Sequence, residues 1–132
     1  MIDVGLLAEE LIEKHSTSDP KRLIKLEGID LIFYPMDIKG MYISNCGKQT
    51  IAINSNLTKL ESYATMYHEL CHSQIHGDQD CLFMWDHIRF ENNRIENEAN
   101  SFAAYMIYHY NKDIELEPGD EELIEKLKTY LD

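Results

Sequence analysis

Thr58-Lys59-Leu60-Glu61 has the S/T-x-x-E spacing of a helix capping box, and Gly77 supplies a stop, so the residues between are predicted to form one helix from about Thr58 to Ile75. Inside it stands His68-Glu69-Leu70-Cys71-His72, which reads H-E-x-x-H. No other stretch constrains the chain as tightly. Histidines four apart on a helix lie ~40° from eclipsed and can share one metal ion. Imidazole suits zinc, which it binds at ~2.0–2.1 Å, and Glu69, about a quarter turn round, reaches a water held by the same ion. That is the layout of a zinc hydrolase. At about 100° per residue, Leu60, Tyr63, Ala64, Tyr67, Leu70, Cys71 and Ile75 form an apolar arc, with His68, His72 and His76 along its shoulder. The histidines are therefore expected at a boundary between core and cleft. The plainer alternative is a set of hydrogen-bonded histidines at a helix rim.

The motif needs a third ligand, and a second predicted helix, roughly Asn93 to Tyr110, offers one. Its apolar arc comprises Phe102, Ile95, Met106, Ala99, Tyr110, Ala103 and Ile107, and Glu96 falls inside that arc with Asn100 one turn on. A carboxylate in a buried arc is costly unless it meets a cation. Zinc on His68 and His72 is the obvious one, and Asn100 is placed to accept the free N–H of a ligand histidine. Glu98 projects to the arc's outer edge and is the fallback ligand. The bland reading is an acidic helix start favoured by the dipole. A separate Cys2His2 site from Cys71, His72, His76 and Cys81 is disfavoured, because Cys71 projects ~100° away from His72. The cysteines read as packing residues.

The remaining chain reads as one α+β domain. Its 132 residues can bury a core without disulfides. Asp3 to Lys14 is an amphipathic helix, and Ser18-Asp19-Pro20 starts a short one that runs to Gly28. Ile29 to Tyr34, Gly40 to Ser44 and Gln49 to Asn54 are strands, the last two a hairpin about Asn45-Cys46-Gly47-Lys48. A small, mostly antiparallel three-stranded sheet with about five helices follows. Gly77 to Asn92, with Phe83, Met84, Trp85 and Phe90, shows no period and reads as a long loop. Leu123, Ile124, Leu127 and Leu131 mark a C-terminal helix over 119–131.

Lys and Arg number 12 against 24 Asp and Glu, a formal charge of −12, which disfavours nucleic acid and anionic membrane and favours a basic protein partner. Met1 to Lys14 lacks the basic and apolar regions of a signal peptide, and no apolar run approaches the ~20 residues of a bilayer span. Three cysteines without framework spacing fit a reducing compartment, so a cytoplasmic protein is expected.

With these residues assembled, a resemblance emerges. His68-Glu69-Leu70-Cys71-His72 with His76, the hairpin from Gly40-Met41-Tyr42 through Ile51-Ala52-Ile53-Asn54, and Glu96-Asn97-Glu98-Ala99-Asn100-Ser101-Phe102-Ala103-Ala104 resemble the ImmA/IrrE family of bacterial and phage metallo-endopeptidases over about residues 18 to 110. The resemblance implies a compact zincin-like fold of gluzincin type, with zinc on His68, His72 and Glu96 and Glu69 as catalytic base. It also implies cleavage of a helix-turn-helix transcriptional repressor of a phage or mobile element, a basic substrate for an acidic enzyme. Two departures stand out. Cys71 replaces a small glycine, and Tyr105-Met106-Ile107-Tyr108 replaces a Leu-Leu-Met-Pro stretch.

Beside zinc, a peptidase needs a donor for the oxyanion, and Tyr42, His76, Tyr105 and Tyr108 are all candidates. The rival class is a non-proteolytic anti-repressor module that binds the same partner with a structural or vestigial zinc site.

Overall fold

The computed structural model describes residues 2–85 and 94–131. Among these, five helices and four strands run in the order α1 (Val4–His15), α2 (Pro20–Leu26), β1 (Asp30–Tyr34), β2 (Gly40–Asn45), β3 (Lys48–Asn54), α3 (Lys59–His76), β4 (Cys81–Trp85), α4 (Arg94–Tyr110) and α5 (Asp120–Lys128). The α+β class is the expected one. The sheet is larger than expected, with four strands in the order β1-β3-β2-β4. β1 runs parallel to β3, while β2 is antiparallel to both β3 and β4.

The extra strand corrects the loop reading of residues 77–92. Cys81, Phe83 and Trp85 lie on one face and Leu82 and Met84 on the other, exposed by 58% and 59%. Both sets are apolar, so the two-residue alternation that marks a half-buried strand is invisible in the sequence. Residues 86–92 of that expected loop, Phe90 among them, and Asn93 at the expected start of α4 lie outside the described residues.

Local chemistry sets the other boundaries. Asp3 and Asp19 cap α1 and α2 by accepting from the N–H groups of Leu6 and Arg22, and Pro20 opens α2, where a missing donor is harmless. Thr58 and Glu61 form the reciprocal capping box of α3. The Thr58 hydroxyl also donates to Asp120 at 2.8 Å, which ties the start of α5 to the start of α3. In the hairpin turn, Cys46 and Gly47 both have positive φ, 52° and 82°, as a two-residue type I′ turn requires. Cys46 tolerates that conformation while its N–H is held by Asp80 Oδ1 at 2.9 Å.

α3 lies across β2 and β3 and packs along α4, so it is enclosed on most sides. Every residue from Ala64 to Ser73 is buried. Gly40 on β2 makes the close seating on the sheet possible, since a Cβ there would stand 2.6 Å from Thr65 Cγ2. Tyr67 anchors the core between α3 and α4, its ring edge-to-face with those of Tyr63 and Phe102 at 6.4 Å. Its hydroxyl donates to Ser18 O at 2.6 Å and accepts from Asn111 Nδ2 at 2.8 Å. Burial drives this phenol's pKa up, so the neutral donor form persists. No helix among the described residues is long and apolar enough to cross a membrane.

Candidate metal centre

Helical spacing turns His68 and His72 to the same side of α3, with ring centroids 4.9 Å apart. From α4, Glu96 reaches both. Its Oε2 stands 3.0 Å from His68 Nε2 and its Oε1 3.0 Å from His72 Nε2. Donors bound tetrahedrally to one zinc at ~2.0–2.1 Å sit about 3.4 Å from one another, so these atoms are within a small adjustment of surrounding an ion. His72 Nε2 is buried without a hydrogen bond despite its approach to Glu96.

Glu69 adds a second carboxylate. It is 0% exposed, and among the described residues neither of its buried oxygens has a hydrogen-bond partner. Such a group costs several kcal/mol if ionised and alone. Burial, reinforced by the charge of Glu96, pushes its pKa well above the carboxylate range. His68, Glu69 and His72 offer donor atoms that all lie within 4.8 Å of one another, a group able to hold a metal. Among the four side chains, Glu96 makes the direct approach to both imidazoles, whereas Glu69 stands beside them with free lone pairs. The donor set of two imidazoles and a carboxylate suits zinc.

Electrostatics fit a ligand role. Burial pushes the His68 imidazole down to about 4, outweighing the upward pull of Glu96, and so leaves it neutral with a lone pair to give. Burial raises the Glu96 carboxyl, but its contacts with His68 and His72 prevail and hold it far below the usual range. Asn100 is 2% exposed on α4 and close enough to His68 to raise the imidazole pKa through its side chain.

Several expectations change here. The helix projection puts the histidines on a shoulder between core and cleft, yet His68 and His72 are both 0% exposed. The cause is β4, unseen in the sequence. Phe83 stacks on His72 at 4.2 Å and 4°, and Trp85 on His68 at 4.1 Å and 7°. Glu98, expected at the outer edge of its arc, is buried at 5%, because its carboxylate accepts from the Ile2 N–H at 2.8 Å beneath the start of the chain. Cys71 fills the α3–α4 contact, its thiol 4.0 Å from Glu98 O. Burial drives that thiol's pKa up, so it is an inert packing group.

The four oxyanion candidates separate. The Tyr42 hydroxyl donates to Gln49 Oε1 at 2.6 Å, and the Tyr105 hydroxyl to Glu9 Oε1 at 3.0 Å. Tyr108 lines a groove of about 410 Å³ with Leu60, Ile114, Leu116 and Ile124, between α4 and α5. His76 alone of the four stands by the cluster, its ring 6.2 Å from that of His72 and its Nε2 buried without a partner.

Over 101 residues the chain is 34% identical to a protein of Bacillus phage phi105 named "Uncharacterized immunity region protein 2", an alignment covering 75% of this chain and 64% of that protein's length. Residues 25–131 match the family described as the IrrE N-terminal-like domain, Peptidase M78. That span takes in the sheet, both histidines and both candidate carboxylates, and the chain therefore belongs to the ImmA/IrrE family.

Proposed function

We propose that this chain is a zinc-dependent endopeptidase, a single zincin-like domain of gluzincin type over residues 1–132. Its substrate on this reading is a helix-turn-helix transcriptional repressor, and cutting it relieves repression of a phage or mobile element. The observation that carries the reading is Glu69, fully buried with two unpartnered carboxylate oxygens beside a pair of imidazoles that converge on Glu96. Mere structure gives no return for burying a carboxylate in that state. Chemistry does.

His68, His72 and Glu96 would hold the ion, and Asn100 would fix the ring of His68. When bound, zinc supplies Lewis acidity that polarises a peptide carbonyl and lets a water lose its proton near neutral pH. Glu69 would be the base that takes a proton from water and returns it to the departing amide nitrogen, once a bound cation offsets the burial that favours its neutral form. His76, whose Nε2 has no protein partner, is positioned to donate to the developing oxyanion. Phe83 and Trp85 exclude bulk water from the two imidazoles. The charge of −12 complements a basic DNA-binding substrate and argues against contact with DNA itself. The free thiols of Cys46, Cys71 and Cys81 suit the cytoplasm. The family and the immunity-region name of the phage relative support a role in lysogenic control.

Incubating the full chain and zinc with a helix-turn-helix repressor encoded beside it is expected to yield two fragments whose masses sum to the repressor plus one water. A chelator is expected to stop the reaction and added zinc to restart it. An intact repressor under zinc saturation would overturn the proposal.

A further inference from the structure

A peptidase must bring a peptide carbonyl to its centre, yet His68, Glu69 and His72 are each 0% exposed. Of the four side chains only Glu96 keeps contact with solvent, 22% of its side chain. The cover is described above: Phe83 and Trp85 lie flat on the two imidazoles, and the Phe83 ring also stands 5.2 Å from that of His76. Removing β4 would expose both histidines on the side now capped.

β4 has the form of a bound peptide. Among the described residues it is the outermost strand of the sheet, paired with β2 alone, antiparallel from Gly40↔Trp85 to Ser44↔Cys81. Cys81, Phe83 and Trp85 point inward in alternation, while Leu82 and Met84 stand more than half exposed and give the strand little burial to hold it. Beyond the β2 ladder it is held by the Lys39 N–H, which donates to Trp85 O at 2.8 Å, by the Cys81 thiol, which donates to His76 O at 3.9 Å, and by the stacking of Phe83 and Trp85 on His72 and His68, so its hold on the core is concentrated in those two rings. A strand on a sheet edge with two of its five side chains exposed is the kind of element that opens locally before the core does.

We propose that β4 is an intramolecular blocking strand: it occupies the outer edge of β2 and the apolar space over His68 and His72 that an extended substrate segment would take, and the centre becomes accessible when it leaves. The incoming segment would be one that carries large apolar side chains two residues apart, as Phe83 and Trp85 are, and would pair with the backbone groups of β2 that β4 vacates. This rests on the peptidase reading for its purpose, but the closure itself is a property of the fold that can be measured separately.

Ile43 and Leu82 are register partners on the solvent face of the β2–β4 pair. Opposed Cα atoms in an antiparallel pair stand ~4.5–5.5 Å apart, which suits a disulfide. The full chain with Ile43→Cys and Leu82→Cys, in a Cys46→Ser background, is treated with diethyl pyrocarbonate without metal in oxidised and reduced forms. Modification of each histidine is followed by mass spectrometry, with exposed His109 as the internal reference. The proposal expects His68 and His72 to react at least about tenfold more slowly in the oxidised form, with His109 unchanged, because the lock removes the local opening. Dithiothreitol should restore the rate, and Trp85→Ala in the otherwise unaltered chain should raise it at His68. Equal rates in the locked and reduced forms would overturn the blocking strand, even where the repressor is cut. Slow locked and fast reduced rates with an intact repressor would uphold the strand and reject the peptidase.

Discussion

Glu69→Gln is expected to lower the rate of repressor cleavage by about 10²–10⁴, with metal content and helix content unchanged. Glu69 sits in a site that the fold has already emptied of other partners: 0% exposed, with both oxygens unpaired. Glutamine keeps its volume and removes its ability to take a proton. The amide is also cheaper to bury than a carboxylate, so thermal stability should hold or rise. The pattern of lost turnover with retained stability separates catalysis from structure. It also separates the peptidase from a binding module, because a module that sequesters the repressor would keep its full effect in this variant. Cleavage and fold are read on the same sample, by mass spectrometry and circular dichroism.

The second large effect is expected at Glu96. Both of its oxygens approach imidazole nitrogens at 3.0 Å, so Glu96→Ala removes a carboxylate that meets both. Losing a residue that only orients a ligand weakens metal binding about 10–100-fold, and losing a ligand should weaken it by about 100-fold or more. Glu98→Ala serves as the contrast. That carboxylate is buried two residues on, but its partner is the Ile2 N–H. Its loss is expected to leave zinc affinity unaltered and to lower stability by about 1 kcal/mol, the worth of one hydrogen bond. Zinc titration against a competing chelator checks both variants. Retained affinity in Glu96→Ala, with loss in Glu98→Ala, would move the third ligand to Glu98.

How far the sequence led depends on how local each signal was. α3 was legible because its start and stop are written in Thr58, Glu61 and Gly77, and the H-E-x-x-H spacing fixes its own geometry. α4 was legible by its apolar period, and Glu96 stood out within it. The hairpin followed from Cys46-Gly47, whose positive φ values only a few turns accommodate. β4 was not legible. Leu82 and Met84 are apolar on the solvent side, so nothing alternates, and its place at the sheet edge depends on pairing with β2 some 40 residues earlier. Every error near the site descends from such distant contacts. The histidines looked like a rim because a helix projection cannot show a strand laid over it by Phe83 and Trp85. Glu98 looked peripheral because its cover comes from Ile2, at the other end of the chain. The hydroxyl partners of Tyr42 and Tyr105, Gln49 and Glu9, are likewise not marked by any motif in the sequence.

All of the proposed chemistry depends on one ion held by His68, His72 and Glu96, and the metal content of the purified full chain tests that most directly. After zinc loading and removal of free metal, elemental analysis should find about one zinc per wild-type chain, as a single tetrahedral site requires. It should find none in the His68→Ala, His72→Ala double variant at equal helix content. A wild-type chain that retains no metal, or a double variant that retains as much as the wild type, would contradict the account.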